Sequence, residues 1–401
     1  MKTQAAVYSP AFVTYGWCRS AYTVVRSLAS RGVEVHIGDS SRLALSRFSR
    51  YCKSFTRLPD FFAEPEAYVT AVAEAMRRTG AQVLLPCFED VELFIRFKNR
   101  LPADTRMALP ALEDWEIAED KLDYVQRVAR VGCPVPETWQ VQSREHLRAL
   151  SCELAFPVVV KVRMGNGARG VDIVERKELL EERFFAIVDE YRLSETRWPV
   201  LQERLDGRKF KLDGVFCNGR SIGSGVYEIL RCKGASRFGT STFRVTTEYP
   251  ELTEHCHDAL AELNWHGMFN TDWICGTDGV PRLIDINGRL SGGVAVPYLG
   301  GMDLPWIWYQ VSCGNKEFET FEQRPGQKVR WLVGDGIGLI EHSIGGHFRK
   351  ALSILKPQFG CRHDDFYWND PLPLFGESAD YFFKFIRSRG SVRPDAQGMV
   401  R

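Results

Sequence analysis

The sequence predicts an N-terminal α/β domain built on a parallel sheet, followed by a larger α+β domain. In the first part of the chain, strand-like and helix-like segments alternate, which is typical of parallel strands joined by crossover helices. Between residues 157 and 286, short apolar runs are separated by the dipeptides Asn218-Gly219 and Asp278-Gly279, which favour tight antiparallel hairpins. The length of 401 residues is sufficient for two or three domains.

The N-terminal alternation predicts three strands and two helices. We expect strands at residues 5–8, 33–37 and 83–85, and helices at residues 18–30 and 65–78. Parallel sheets of this kind bind ligands beyond the carboxyl ends of their strands. The candidate site loops of this part are therefore residues 9–19 and 86–90.

The central part begins with two helical stretches over residues 111–130, which are separated near Glu119 and Asp120 and end before two prolines. Seven strands are predicted after them, at residues 158–162, 171–174, 200–203, 210–217, 221–227, 269–275 and 282–286. Two helices interrupt the strands, at residues 177–191 and 250–263. The C-terminal part predicts a strand at residues 329–333, a helix at residues 345–355 and a mobile polar tail at residues 387–401.

Composition and charge exclude several classes of function. The 52 Lys and Arg residues nearly balance the 51 Asp and Glu residues, so the chain has no overall basic field to hold nucleic acid. No apolar run reaches the roughly 18 residues of a membrane span, and the N-terminus lacks the pattern of a signal peptide. The 11 cysteines contain no Cys-x-x-Cys pair, which favours reduced thiols. We therefore expect a cytoplasmic protein without nucleic-acid or membrane partners.

A glycine-rich segment, Gly165-x-Gly167-x-x-Gly170, fits the dinucleotide-binding fingerprint by its spacing alone. That fingerprint requires a helix to begin at the loop, whereas an apolar strand is predicted at residues 171–174, so a nicotinamide site is rejected. Lys161 precedes the turn and Arg169 lies within it. Backbone amides and two cations suit a triphosphate. An ordinary hairpin with an exposed lysine is an equally good interpretation of this segment alone.

A second cluster of polar residues lies on the last two central strands. Side-chain alternation places Asp285 and Asn287 on one strand face, and pairing across the Asp278-Gly279 hairpin can bring Asp272 beside them. Two carboxylates and an amide oxygen are hard ligands suited to magnesium. The alternative is a solvated strand face, but the apolar neighbours favour a buried polar face.

Taken together, these residues resemble the ATP-grasp superfamily, which includes biotin carboxylase and D-alanine:D-alanine ligase. The likeness extends from about Glu119 to Gly314, and the preceding α/β domain also resembles that of the family. The segments that carry it are Asp120-Lys121 and residues 132–136, 156–161, 202–207 and 283–289. The resemblance implies an N-terminal domain at residues 1–110, an ATP-grasp domain at residues 111–315 with nucleotide between two subdomains, and a C-terminal region at residues 316–401.

The resemblance also implies roles for particular residues in binding ATP. Lys121 and Lys161 would hold the phosphates. The turn that would close over them contains Gly165, Gly167, Arg169 and Gly170. The segment that would contact adenine is Glu203, Arg204 and Leu205.

Further implied roles concern the metal and the reaction. Asp272, Asp285 and Asn287 match the ligands of magnesium, with two ions expected and manganese as an alternative. Arg289 matches an arginine that stabilises charge on the transferred phosphoryl group. Two positions depart from the family pattern: Lys209 stands where many members have a ribose-binding glutamate, and Asp285 stands where a bridging glutamate is usual.

A cationic stretch at residues 231–244 is a candidate site for the second substrate. Its cations Arg231, Lys233 and Arg237 lie among glycines and hydroxyl residues, which favours a carboxylate-binding loop slightly over a solvated basic loop. Arg19 and Glu89 in the N-terminal loops are weaker candidates, for which ordinary charges on a helix surface are the better interpretation.

The resulting expectation is an ATP-dependent carboxylate–amine ligase. A small carboxylate would become an acyl phosphate, and an amine would attack it, with Lys121, Lys161 and Arg289 as the catalytic residues. Alternatives are a thiol or hydroxyl acceptor, or a nucleotide-binding regulatory module without turnover. The complete set of Asp272, Asp285, Asn287 and Arg289 favours the enzyme. A homodimer is left open.

Overall fold

The computed structural model describes residues 8–165, 167, 169–233 and 240–387. Its N-terminal part contains four strands, which are β1 (Ala11–Val13), β2 (Val35–Asp39), β3 (Ser54–Arg57) and β4 (Val83–Leu85). They form a parallel sheet in the order β3-β2-β1-β4. The helices of this part are α1 (Arg19–Ser30), α2 (Pro65–Thr79) and α3 (Val91–Arg96). The predicted parallel sheet is thereby confirmed.

Capping residues, proline and glycine determine where the helices beside this sheet begin and end. The Cys18 side chain caps α1 by accepting a hydrogen bond from the Ala21 amide. Pro65 starts α2 at a position where no amide donor is needed, and Gly80 ends it with a φ of 70°. The first strand begins at Ala11, so the first site loop starts after Val13 rather than at residue 9; residues 5–7 of the predicted strand lie outside the described residues.

A four-stranded antiparallel sheet follows two helices, α4 (Leu112–Glu119) and α5 (Lys121–Ala129). Its strands are β5 (Thr138–Gln140), β6 (Val158–Lys161), β7 (Val171–Val174) and β8 (Val200–Glu203), in the order β5-β8-β6-β7. Its helices are α6 (Arg144–Glu153) and α7 (Leu180–Tyr191). The predicted pairing of the strands around the glycine turn is correct, because Lys161 lies opposite Val171.

The largest sheet has seven strands, in the order β13-β12-β9-β10-β11-β14-β15. These strands are β9 (Arg208–Cys217), β10 (Arg220–Cys232), β11 (Ser241–Thr247), β12 (Gly267–Cys275), β13 (Pro281–Asn287), β14 (Lys328–Arg330) and β15 (Arg362–His363). The helices between them include α8 (Pro250–Glu262), α9 (Ala295–Leu299) and α10 (Leu304–Ser312). Both predicted hairpins are present, and Asn218, Gly219 and Gly279 have the positive φ angles that tight turns require.

One apolar core joins the N-terminal sheet to the largest sheet. Trp308 on α10 packs in the same buried cluster as Val13 and Leu85 of the parallel sheet and Val215 of β9. Burial of each aliphatic side chain of this cluster, such as Leu85, contributes roughly 1.5–3 kcal/mol to folding. The N-terminal loops are thereby held at a fixed distance from the strands of the largest sheet.

The C-terminal region departs most from its prediction. Its helices are α11 (Leu332–Ile344), α12 (Phe348–Leu355) and α13 (Leu372–Arg387). The strand predicted at residues 329–333 ends at Arg330, because α11 begins two residues later. The sequence did not predict α13, because Pro371 and Pro373 favour a helix break. Pro373 lies in the first turn of α13, where proline is tolerated. Residues 388–401 of the predicted tail lie outside the described residues.

Two further sequence expectations can be compared with the described residues. The structure has all 11 cysteines as free thiols. None of the helices in the described ranges is both long and apolar enough to cross a lipid bilayer. Residues 231–244 were predicted to form one basic loop. The two ends of this region instead belong to β10 and β11, and residues 234–239 are not described.

Candidate functional site

A cleft of ≈ 1540 Å³ is lined by residues of the four-stranded antiparallel sheet, the seven-stranded sheet and the N-terminal loops. It collects the side chains at the ends of β6, β8, β12 and β13, which are far apart along the chain. The loop after β1 and helix α13 contribute a further wall. This cleft is the candidate active site.

Two lysines and a carboxylate form the centre of the cleft. The Lys121 Nζ lies 3.3 Å from the Asp285 Oδ1 and donates a hydrogen bond of 2.9 Å to the Gly165 carbonyl. The Lys161 Nζ donates to the Ile284 carbonyl at 2.8 Å. Burial lowers the pKa of Lys161 to about 8. Burial alone would raise the pKa of Asp285, but the charges of Lys121 and Lys161 hold it below its usual value.

The start of α5 fixes the position of Lys121. Asp120 caps this helix by accepting the amide hydrogen of Leu122 at 3.0 Å, and Arg163 pairs with the same carboxylate at 2.8 Å. Lys121 is consequently the first residue of the helix and is almost fully buried. A buried ammonium held in this position can donate charge-assisted hydrogen bonds to a phosphate oxygen.

The glycine turn lies along the same cleft. Gly165, Gly167, Arg169 and Gly170 are all lining residues, whereas residues 166 and 168 are not described. Gly170 has a φ of +62°, and an added Cβ would lie 2.4 Å from the Val162 Cγ1. Glycine is therefore required at this position both by conformation and by space.

The strands β12 and β13 bring the predicted metal ligands together. Their register pairs Asp272 with Asp285 and Asn270 with Asn287. The Asn287 Nδ2 donates to the Asn270 Oδ1 at 3.3 Å, and the Lys211 Nζ lies 2.8 Å from the Asp272 Oδ2. The oxygens of Asp272, Asp285 and Asn287 form the hard donor set that magnesium prefers, so these residues fit the ion.

Sequence reasoning missed Lys211, although a signal for it was available. It lies two residues after Lys209 on β9, and the register places it opposite Asp272. Alternation along a strand puts Lys209 and Lys211 on one face. Both line the cleft and add cationic groups to it.

Arg289 reaches the cleft from the end of β13. Its Nη2 donates to the Asn287 Oδ1 at 3.2 Å, and its guanidinium forms an ion pair with Glu89. Glu89 is 5% exposed, so its interpretation as a helix-surface charge is wrong. The buried carboxylate pairs with Arg289 and thereby orients its guanidinium. Removal of either partner would leave an uncompensated buried charge, which costs free energy.

The segment predicted to contact adenine begins at Glu203, the last residue of β8. Glu203, Arg204 and Leu205 line the cleft together with Lys209. The Glu203 Oε1 accepts a hydrogen bond from the Glu137 amide at 3.1 Å, and Arg204 pairs with Glu175 at 3.1 Å. The side chains of Glu203 and Arg204 thus hold the segment in place at the edge of the cleft.

Only some of the candidate residues for the second substrate line the cleft. Arg231 pairs with Asp335 at 2.6 Å, and Arg237 lies outside the described residues. Lys233 and Arg19 both line the cleft. Arg19 is 8% exposed and pairs with Asp364 at 3.2 Å, so it is not the surface charge that the sequence suggested. Its guanidinium lies 3.6 Å from the ring centroid of Trp331.

Models of known families match two adjacent parts of the chain. Residues 195–334 match the family described as ATP-grasp in the biosynthetic pathway with Ter operon. Residues 120–205 match the carbamoyl-phosphate synthase L chain, ATP binding domain. The two matches overlap at residues 195–205, which contain β8, and together they include the cleft residues from Lys121 to Arg289.

Solved structures share the fold over most of the chain. A biotin carboxylase from Campylobacter jejuni, described as a β-γ-ATP complex, has a TM-score of 0.66 and 17% identity, over 79% of this chain and 74% of that chain. The biotin carboxylase domain dimer of Hydrogenobacter thermophilus 2-oxoglutarate carboxylase, with MgADP, ADP and bicarbonate, has a TM-score of 0.65 and 16% identity, over 80% and 74%. An L-amino acid ligase from Bacillus licheniformis has a TM-score of 0.59 and 16% identity, over 80% and 79%. The solved structures share the fold of this chain. The two family models together match residues 120–334, and the chain belongs to the ATP-grasp superfamily.

Proposed function

We propose that the protein is an ATP-dependent ligase that activates a small carboxylate as an acyl phosphate and joins it to an amine. The observation that carries this proposal is the arrangement of Lys121, Lys161, Asp272, Asp285 and Arg289 around one cleft. A site that only bound nucleotide would not need Arg289 as a further cation beside Asn287. That position suits a group that stabilises charge as it develops during the reaction.

ATP would lie with its phosphates against Lys121, Lys161 and the glycine turn. Its base would lie against the segment from Glu203 to Leu205. The proposal is supported by similar folds, one described as a β-γ-ATP complex and another as a complex with MgADP. Because Lys209 replaces the expected ribose-binding carboxylate, the ribose hydroxyls would be held by other groups of this segment.

Asp272, Asp285 and Asn287 would hold magnesium. When bound, the ion neutralises phosphate charge and orients the γ-phosphoryl group. Lys121 and Lys211, which neutralise the two carboxylates in the free protein, would then be available to phosphate oxygens. We expect two ions to be held in this way.

The reaction would have two steps. First, a substrate carboxylate oxygen attacks the γ-phosphorus, and the bond to the β–γ bridging oxygen breaks, which releases ADP with the electron pair. Second, the amine nitrogen attacks the acyl carbon, phosphate leaves and the nitrogen loses a proton. Arg289 would donate hydrogen bonds to the oxygens on which charge accumulates, and Glu89 would keep its guanidinium in position.

The test is a screen for ADP release that depends on a carboxylate. The full-length protein is incubated with ATP, magnesium and pools of carboxylates, with hydroxylamine as a general nucleophile. We expect one pool to give ADP and a hydroxamate in stoichiometric amounts. If ADP forms with a confirmed carboxylate but hydroxamate does not, the acyl phosphate is excluded and the chemistry is a kinase-like transfer.

The Asp285→Asn variant tests the metal assignment. It keeps the shape of the side chain but removes the charge that Lys121 neutralises. We expect ADP release to fall by at least about a hundredfold while the melting temperature stays within a few degrees. A folded variant with near-normal turnover would contradict the metal assignment.

A further inference from the structure

The wall of the cleft beside Arg289 is formed by parts of the chain that lie far apart in sequence. Trp17 and Phe88 come from the N-terminal loops, whereas Trp331, Glu377 and Tyr381 come from the C-terminal region. The rings of Trp331 and Tyr381 have centroids 6.1 Å apart, and those of Trp17 and Tyr381 are 5.7 Å apart. This wall is aromatic apart from one carboxyl group.

That carboxyl group, Glu377, lacks a partner for one of its oxygens. Its Oε1 accepts a hydrogen bond of 3.0 Å from the Trp331 Nε1. Its Oε2 is buried and has no hydrogen-bond donor among the described residues, although the side chain as a whole is only 3% exposed and lines the cleft. Such an oxygen costs free energy unless a donor or a proton satisfies it.

The nearest cation does not supply the missing donor. The Arg19 Nη1 is 3.8 Å from the Glu377 Oε1, which is too long for a hydrogen bond. The other nitrogens of Arg19 are committed to Asp364 at 3.2 Å and to the Gly292 carbonyl at 3.3 Å. Arg19 therefore ties this wall to Gly292, which lies three residues after Arg289. It does not donate a hydrogen bond to Glu377.

More negative charge lies behind Glu377. Asp364 and Asp365 are fully buried, and each also has one oxygen without a donor in the described part of the chain. Burial, followed by the charge of Asp365, raises the pKa of Glu377 well above its usual range. The carboxyl group can therefore remain neutral until a cationic group enters beside it.

We propose that Glu377, with the rings of Trp331 and Tyr381, binds the amino group of the acceptor substrate, an inference that rests on the proposed ligase function. An ammonium or amine offers the N–H donors that the Oε2 lacks, and aromatic faces attract cations. The wall already attracts a cation, since the Lys233 Nζ lies 5.8 Å from the centroid of Trp331 and 6.0 Å from that of Tyr381. The acceptor would be an amine with an apolar or aromatic body.

The test uses benzylammonium and its uncharged analogue benzyl alcohol as probes of the full-length protein. Their affinities are measured by isothermal titration calorimetry. We expect wild type to bind benzylammonium at least about tenfold more tightly than benzyl alcohol. Glu377→Gln should remove this preference without changing the affinity for benzyl alcohol. Glu341→Gln, which changes another carboxylate of the cleft lining, should keep the preference.

Two results would overturn the inference: equal affinities of the two probes in wild type, or a preference that persists in Glu377→Gln. If the variant does not fold, the comparison of the two probes on wild type decides alone. The calorimetry needs no turnover, whereas the ADP-release screen needs no amine site. Failure of the acceptor site and failure of the ligase function are therefore told apart.

Discussion

In the absence of ligands, each lysine at the centre of the cleft contacts an oxygen of the protein itself. Lys121 and Lys211 each lie within ion-pair distance of one of the two paired carboxylates, Asp285 and Asp272. Lys161 instead bonds a backbone carbonyl and retains no direct carboxylate partner among its hydrogen bonds in the described residues. Of the three lysines, Lys161 should therefore depend most on a bound phosphate for compensation of its burial.

Replacement of Lys161 by methionine should weaken ATP binding without unfolding the protein. The buried ammonium pays a desolvation cost in the free protein, which its lowered pKa of about 8 reflects. We expect the Kd for ATP, measured by calorimetry, to rise at least about tenfold. The melting temperature without nucleotide should stay the same or increase.

Lys177→Met is the control, because Lys177 lies in an exposed turn after β7 and outside the cleft lining. It should leave the affinity for ATP unchanged. Equal affinities of wild type and Lys161→Met would show that Lys161 takes no part in phosphate binding.

A buried carboxyl group next to the cleft should make stability depend on pH. Burial raises the pKa of Asp213 to about 7, whereas the unfolded chain titrates near 4. Between these values the folded state binds more protons, so the stability of wild type should fall as the pH rises from about 4 to 7. In Asp213→Asn the amide resembles the protonated acid and can still accept the hydrogen bond of Ser291.

The measurement is the free energy of unfolding of both proteins in urea between pH 5 and 8. The variant should gain at least about 1.4 kcal/mol relative to wild type over this interval, the equivalent of one pKa unit. A constant difference between the two proteins would contradict the raised pKa.

Short elements with strong turn signals could be predicted closely from the sequence. The strand at residues 171–174 and the hairpin turns agree with the structure, because Asn-Gly, Asp-Gly and the glycine turn dictate local backbone conformations. Elements that depend on tertiary pairing could not be predicted. The edge strand β3 is half-exposed and weakly apolar, and β11 was hidden within a cationic stretch.

The glycine turn should be sensitive to a single methyl group. Gly170→Ala forces an alanine into a φ of +62° and places its Cβ against Val162. Gly132→Ala introduces the same kind of backbone strain at a φ of +78°, but into open space. The strain costs roughly 1–2 kcal/mol at either position.

The two variants should therefore differ in thermal unfolding and in ATP affinity. We expect Gly170→Ala to lower the melting temperature more than Gly132→Ala does, and to weaken ATP binding as the turn shifts. Equal melting temperatures would mean that the turn adapts to the added methyl group without cost.

At the scale of the whole molecule, the site depends on contacts that no local pattern reports. Arg289 and Glu89 are separated by 200 residues, and Arg19 and Asp364 by 345 residues. Motif spacing could identify the lysines, the glycine turn and the paired carboxylates, since these lie on neighbouring strands. It could not show that Glu89 and Arg19 are buried or that α13 completes the wall, because these features arise only when the C-terminal region packs against the N-terminal loops.

The central claim is that an oxygen of the substrate carboxylate attacks the γ-phosphorus of ATP. It is tested most directly with a carboxylate labelled with ¹⁸O in both oxygens, in a turnover with ATP, magnesium and hydroxylamine, followed by mass spectrometry of the released phosphate. An acyl phosphate intermediate leaves one carboxylate oxygen on phosphorus, so each phosphate released should carry one ¹⁸O atom. Unlabelled phosphate, formed together with ADP and the hydroxamate, would contradict the proposed mechanism.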